Sequence, residues 1–188
     1  QINETRRTLL QRVNQLSALN MMAEYLSTSL VATDVLQNIY ESVRDFVDLT
    51  GFYIALHDSE HQRVEFPIAV HKNDLIALPP RSSKDFKVTD HIIDQKTVLN
   101  LKRNQFSQYE FSIPEEFEFE HFFGLPLMLG TTKIMGVMGI MTNTPLTELQ
   151  ISTLRNIASQ ASLAIRNTTL YSRSVDLAEN LSLINESV

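Results

Sequence analysis

Two apolar runs, residues 121–129 and 133–142, are separated only by Gly130, Thr131 and Thr132. A glycine-containing turn between two such runs reads as a β-hairpin. It constrains everything around it, because a sheet this apolar has two faces to cover. Gly136 and Gly139 within the second run predict a bulge or the close approach of another backbone. One cover follows directly in sequence. After Pro145, Thr147 and Gln150 form a capping box, and Ile151, Leu154, Ala158, Ala161 and Ile165 recur on one helical stripe. That helix does not stop where the stripe does. Leu163, Leu170, Leu177 and Ile184 recur at strict sevens, with Leu181 and Val188 at the complementary position, so the helix over 147–185 ends as a coiled-coil seam. Asn167 and Ser174 occupy that complementary position upstream and make the earlier part of the seam the weaker one.

The N-terminal half supplies further helices and strands. The first thirty residues hold no Gly or Pro, and Ile2, Leu9, Val13, Leu16, Ala23 and Leu30 recur at spacings of three, four and seven, predicting a long helix over 4–31. Leu19, Met22 and Leu26 widen its stripe, as expected if the early half pairs with another helix and the later half lies on a domain. Asp34 with Gln37 reads as the start of a second helix over 34–49, with Gly51 as its stop. Phe52, Ile54 and Leu56, then Val64, Phe66, Ile68 and Val70, alternate with their neighbours across a polar turn, giving antiparallel strands at 52–57 and 64–71. Pro79 and Pro80 mark a loop, Thr89 a cap for a short helix to Gln95, and 98–101 a short strand. From 104 to 120 the aromatics Phe106, Tyr109, Phe111, Phe117 and Phe119 sit among Glu110, Glu115, Glu116, Glu118 and Glu120.

Composition narrows the chemistry. A chain of 188 residues, 43% hydrophobic, holds one ordinary domain with helical extensions. Its formal net charge of -6 and the lack of a basic patch argue against nucleic-acid binding. Zero Cys excludes disulfides, thiolate catalysis, Cys-ligated metal centres and thioether-attached cofactors, and fits reducing, cytoplasmic surroundings. The apolar stretch 134–141 is far short of the roughly 20 residues that cross a bilayer, and no signal peptide opens the chain, so no membrane contact is expected of this segment. The sequence opens on Gln1 and ends inside a heptad pattern, which reads as a piece of a longer protein whose effector lies elsewhere.

Catalytic constellations are missing from the sequence. His57 and His61 stand four apart beside Asp58 and Glu60, but on a turn rather than the helix that would aim both at a metal, so no metal site is expected. There is no Gly-x-Ser-x-Gly elbow and no phosphate-cradling glycine loop, and the acidic run 115–120 reads as a solvated face. The segment itself is not read as an enzyme.

Phe123-Gly124-Leu125-Pro126-Leu127, Lys133-Ile134-Met135-Gly136-Val137-Met138-Gly139-Ile140, the start Leu146-Thr147-Glu148-Leu149-Gln150 and the helix carrying Leu154-Arg155-Asn156-Ile157-Ala158-Ser159-Gln160-Ala161 and Ala164-Ile165-Arg166-Asn167-Thr168-Thr169-Leu170-Tyr171 together resemble the GAF domain family. The resemblance spans roughly 19–171, with 1–18 as an N-terminal signalling helix and 172–188 as a coiled-coil extension. It implies an α+β, PAS-related fold: a central antiparallel sheet, long N- and C-terminal helices on one face, and the irregular insert on the other. It also implies a regulatory module of a signal-transduction protein such as a sensor histidine kinase, cyclase or phosphodiesterase. Subfamily marks do not carry over. Without Cys no covalent bilin is expected and the methionine sulfoxide reductase chemistry is missing, and His71-Lys72-Asn73 does not substitute for the Asn-Lys…Phe…Asp-Glu signature of the cyclic-nucleotide-binding members.

Two function classes follow. In the first, a small molecule of unknown identity binds between sheet and insert, against some of Tyr53, Phe66, Ile68, His71, Phe86, His91, Phe106, Tyr109, Phe111, Phe122, Met128 and Met138. In the second, the chain's own side chains fill that space and the module only dimerises. Either way a homodimer is expected through the terminal helices, with Leu9, Val13, Leu16, Leu163, Leu170, Leu177, Leu181 and Ile184 at the interface.

Overall fold

The computed structural model describes residues 2–25, 30–60, 62–78 and 87–186, with the side chains of 17–25, 30–32, 169–177, 179–180 and 182–186 outside the description. The elements are α1 (Ile2–Tyr25), α2 (Leu30–Arg44), β1 (Leu49–Asp58), β2 (Arg63–His71), β3 (Asp74–Leu75), α3 (Lys87–Gln95), β4 (Leu99–Lys102), a 3-10 turn (Arg103–Tyr109), β5 (His121–Leu129), β6 (Lys133–Thr142) and α4 (Glu148–Glu186). The chain divides into two units, Leu36–Ala164 and Gln1–Val35 with Ile165–Val188.

The first unit is built on a six-stranded antiparallel sheet in the order β3-β2-β1-β6-β5-β4. The hairpin read from the sequence is β5–β6, turning at Gly130, whose φ of 64° suits glycine. β3, not foreseen, is joined to β2 by a two-residue turn. Lys72 (φ 47°) and Asn73 (φ 69°) both lie in the left-handed region, as the tightest hairpin turns require. Gly136 sits where β6 comes closest to β1: a Cβ there would run into the carbonyl oxygen of Ala55, and would lie 3.1 Å from Leu56 Cα.

Two bulges decide which side chains share a face. On β2, Phe66 and Pro67 together oppose Ala55, since Ile54 pairs with Ile68 and Leu56 with Glu65. Proline suits that place because it has no ladder hydrogen to lose. On β6, Met135 is the extra residue between the pairs Leu127–Gly136 and Met128–Ile134. One face therefore carries Tyr53, Ala55, Val64, Phe66, Ala69, Phe122, Val137 and Met141, which cluster with Val88, Ile92 and Ile93 of α3. Phe52, Ile54, Ile68, Val70, Leu125, Met138 and Ile140 are buried on the other. There α2 lays Tyr40 against Phe52, with ring centroids 5.4 Å apart. The α4 stripe read from the sequence is buried at Leu154, Ala158 and Ala161. Its capping box is formed: the Thr147 N–H donates to Gln150 Oε1 (2.9 Å) and the Gln150 N–H to Thr147 Oγ1 (3.2 Å).

Three local readings are corrected. α2 begins at Leu30, not at Asp34, because Val31, Ala32 and Thr33 hold no breaker and the helix is already formed when it reaches Asp34. Gly51 is not a helix stop: α2 ends at Arg44, and Gly51 lies in β1, where a Cβ would meet Met141 Sδ at 2.8 Å and Phe117 Cδ1 at 3.0 Å. Thr89 does not cap α3 but lies within it, fully buried.

In the second unit, α1 presents Leu9, Val13 and Leu16 to solvent, each more than half exposed. No helix among the described residues is long and apolar enough to cross a membrane.

Candidate functional site

The insert face is organised around Tyr53. Its ring is wholly buried at the centre of the sheet, directly over Gly139, where any side chain would collide with it. Phe66 meets it edge-on at 5.9 Å, Phe117 lies tilted at 6.2 Å and Phe122 stacks at 6.5 Å. The Tyr53 and Thr89 hydroxyls are hydrogen-bonded at 2.7 Å, tying the sheet to the insert helix. Burial, only partly offset by that bond and reinforced by Asp90, pushes the Tyr53 phenol well above its ordinary value, so it stays protonated.

α3 covers this centre because Val88, Thr89, Ile92 and Ile93 fall on one helical face. Beyond the 3-10 turn, an extended strap alternates buried Phe117 and Phe119 with exposed Glu116, Glu118 and Glu120. Arg103 pins it: the backbone N–H donates to Glu120 O (2.9 Å), Nη1 donates to Phe117 O (3.3 Å), and the guanidinium lies 5.0 Å over Phe119. Lys72 pairs with Glu118 at 2.6 Å, and this contact holds the exposed Glu118 carboxyl below its ordinary range.

Of the twelve pocket candidates, Tyr53, Phe66, Phe106 and Phe122 meet in the buried cluster and Phe111 packs against it. His71 touches it through Phe117 (5.9 Å, edge-on), its Nδ1 buried with no hydrogen-bond partner among the described residues. His91 and Tyr109 stand on the outer side of Phe111, at 5.0 and 5.4 Å, with Tyr109 54% exposed. Met128 pairs with Ile134 at the end of the hairpin. Ile68 and Met138 do not share this face. The bulge at Phe66–Pro67 turns Ile68 over, and Met138 pairs with Ile54 and Leu125 on the helix side. Phe86 lies outside the described residues. Phe117, Phe119 and Thr89 are the participants that sequence reasoning passed over. The apolar–acidic alternation from 116 to 120 was the signal for the two phenylalanines.

Asp90 stands beside this centre, and burial, with Asp94 one turn along α3, pushes its carboxyl up to about 6 from 3.8. The folded chain then holds this proton more tightly than the unfolded chain. The stability it contributes is complete below about 3.8 and is lost as pH rises through about 6. Asp90 is only half-buried, so solvent screening limits the effect to about 1 kcal/mol. Asp90→Asn is expected to stabilise the protein by about 1 kcal/mol at neutral pH and to bring no gain below the unfolded carboxyl range, measured by urea unfolding at both pH values. A larger gain at low pH would contradict the assignment.

His57, Asp58 and Glu60 lie at the β1–β2 turn, where the Glu60 N–H donates to Asp58 Oδ1 (3.0 Å); His61 is outside the described residues. No group of three His, Cys, Asp or Glu side chains suited to a metal ion occurs among the described residues.

The sequence profile of the GAF domain matches residues 30–166. No curated protein matches the sequence. Among solved structures, the fold is similar to the GAF domain of an Acinetobacter phosphoenolpyruvate-protein phosphotransferase (TM-score 0.63, 21% identity, 83% of this chain and 95% of that one). It is similar too to residues 122 to 287 of a methyl-accepting chemotaxis protein (0.63, 18%, 79% and 97%). A third is the GAF domain of a two-component sensor histidine kinase from Bacillus halodurans (0.59, 14%, 74% and 96%). With the profile covering most of its length and the six-stranded sheet and its insert in the family's order, the chain belongs to the GAF domain family.

Proposed function

We propose that the chain is the regulatory module of a signal-transduction protein, that its own rings fill the centre of the sheet's insert face, and that it works as a parallel homodimer through its terminal helices. Family membership and the similarity to domains from a sensor kinase and a chemotaxis protein support the regulatory role. The observation that carries the self-filled reading is the complete burial of Tyr53 against Gly139, among rings of the same chain. A small molecule at that point would have to displace a hydrogen-bonded side chain. Leu163 and Leu181, at heptad-related positions of α4, are 56% and 59% exposed, which leaves an apolar seam for a second copy. In this reading the effector lies outside the segment, and its input is a change in how the helices pack.

Native mass spectrometry of freshly purified protein tests both parts together. Twice the chain mass with nothing added is expected. A retained small molecule would favour the sensor reading instead, and a monomer would remove the dimer.

A further inference from the structure

The geometry points to a role for Tyr53 beyond packing: it occupies a binding site for a single phenol ring, which the chain fills in cis with its own side chain. This rests on the self-filled reading above and names what fills the space and what it controls. The site has the parts of a recognition site. Gly139 leaves the floor bare where the ring lies, and Phe66, Phe117 and Phe122 wall it at centroid distances of 5.9, 6.2 and 6.5 Å. Thr89 meets the hydroxyl at 2.7 Å with no exposure to water. Apolar walls with a polar group aimed at the hydroxyl select a phenol over a plain hydrocarbon ring, because an unmatched buried hydroxyl is costly.

The occupant also governs the insert. Thr89 belongs to α3, so while the phenol is in place the helix is tied to the sheet, and when it leaves, that bond and the ring contacts go together. An external phenol competes with a group tethered to the same chain, whose effective concentration is far higher. The native chain therefore stays in its occupied state without a partner molecule, and freeing the insert requires moving Tyr53.

The test uses p-cresol, the tyrosine side chain as a free molecule, with amide hydrogen exchange of residues 87–95 as the readout. In Tyr53→Ala, exchange of α3 should rise by about tenfold or more and return toward wild type on adding p-cresol, with toluene about fivefold weaker. Wild type should not respond to either compound. Tyr53→Ala that keeps α3 protected without p-cresol, or that p-cresol fails to restore, would overturn the inference, as would protection by p-cresol in wild type. Should Tyr53→Ala not fold, Tyr53→Phe decides. It keeps the ring and loses the bond to Thr89, so α3 exchange should rise by about fivefold with β1, β5 and β6 unchanged; no rise would overturn the inference. A small molecule retained by wild type in native mass spectrometry would instead bring down the self-filled reading itself, so the two failures are told apart.

Discussion

Gly136→Ala is expected to cost about 4 kcal/mol or more, a large part of the stability of an ordinary domain. Ordinary overpacking costs about 1–3 kcal/mol because neighbouring side chains give way. Here the obstacle is backbone: the new methyl group would meet the carbonyl oxygen of Ala55, its carbon at 2.9 Å and Leu56 Cα at 3.1 Å. β1 and β6 are the two central strands, and parting them breaks the ladder that joins β3-β2-β1 to β6-β5-β4. Gly139→Ala should cost about 3 kcal/mol, since the atom in its way is a tyrosine ring, movable in principle but boxed by other rings. Gly130→Ala is the control. Nothing lies within 4 Å of it, and only its φ of 64° is unfavourable, for about 1 kcal/mol. Urea unfolding of the three variants should give that order. A Gly136→Ala protein within about 1 kcal/mol of wild type would mean that the strands are not as close as described.

The order of elements was legible because its signals are local. The β5–β6 runs flank a glycine turn, and Thr147 and Gln150 are three apart at a helix start; both patterns need only neighbours in sequence. The close backbone approach read at Gly136 is there, with Ala55 as the backbone, whereas at Gly139 the approaching group is the Tyr53 ring and not another backbone. What failed was long-range. Asp34 and Thr89 are capping residues by type, yet one lies inside a helix whose start is upstream and the other is held within α3 by a tyrosine 36 positions earlier. Face assignment failed where a bulge intervened. Phe66 and Ile68 are two apart and would share a face in a regular strand, but an extra residue on β2 separates them, and no side-chain pattern within β2 reveals it. The composition of the insert interior was half legible: Phe106 and Phe122 were named. Phe117 and Phe119 are missing from the candidates, since the acidic run 115–120 reads only as a solvated face, whereas alternation in an extended strap puts the acids outside and the rings inside.

If the proposed dimer forms along α4, Leu177→Asp combined with Ile184→Asp is expected to give a monomer while leaving the GAF domain folded. α4 runs for 39 residues, roughly 58 Å at 1.5 Å per residue. The heptad leucines continue along it past Leu163, which is already more than half exposed, to Leu181, which is also more than half exposed. A helical extension with apolar residues in water is marginal alone, and a second copy is the economical partner for a stripe that repeats every seven residues. Two aspartates per chain place four carboxylates on one seam. Burying them unpaired is prohibitive, so the dissociation constant should rise by about a hundredfold or more. Light scattering across micromolar concentrations reads the mass, and the thermal transition of the domain serves as the folding control. The opposite change probes the weak half of the seam. Asn167 is exposed at the complementary heptad position, so Asn167→Leu should tighten the dimer and, if signalling works by helix repacking, hold it in one packing. A wild type that is monomeric throughout, or a double aspartate variant that stays dimeric, would show that the seam meets something other than a second copy.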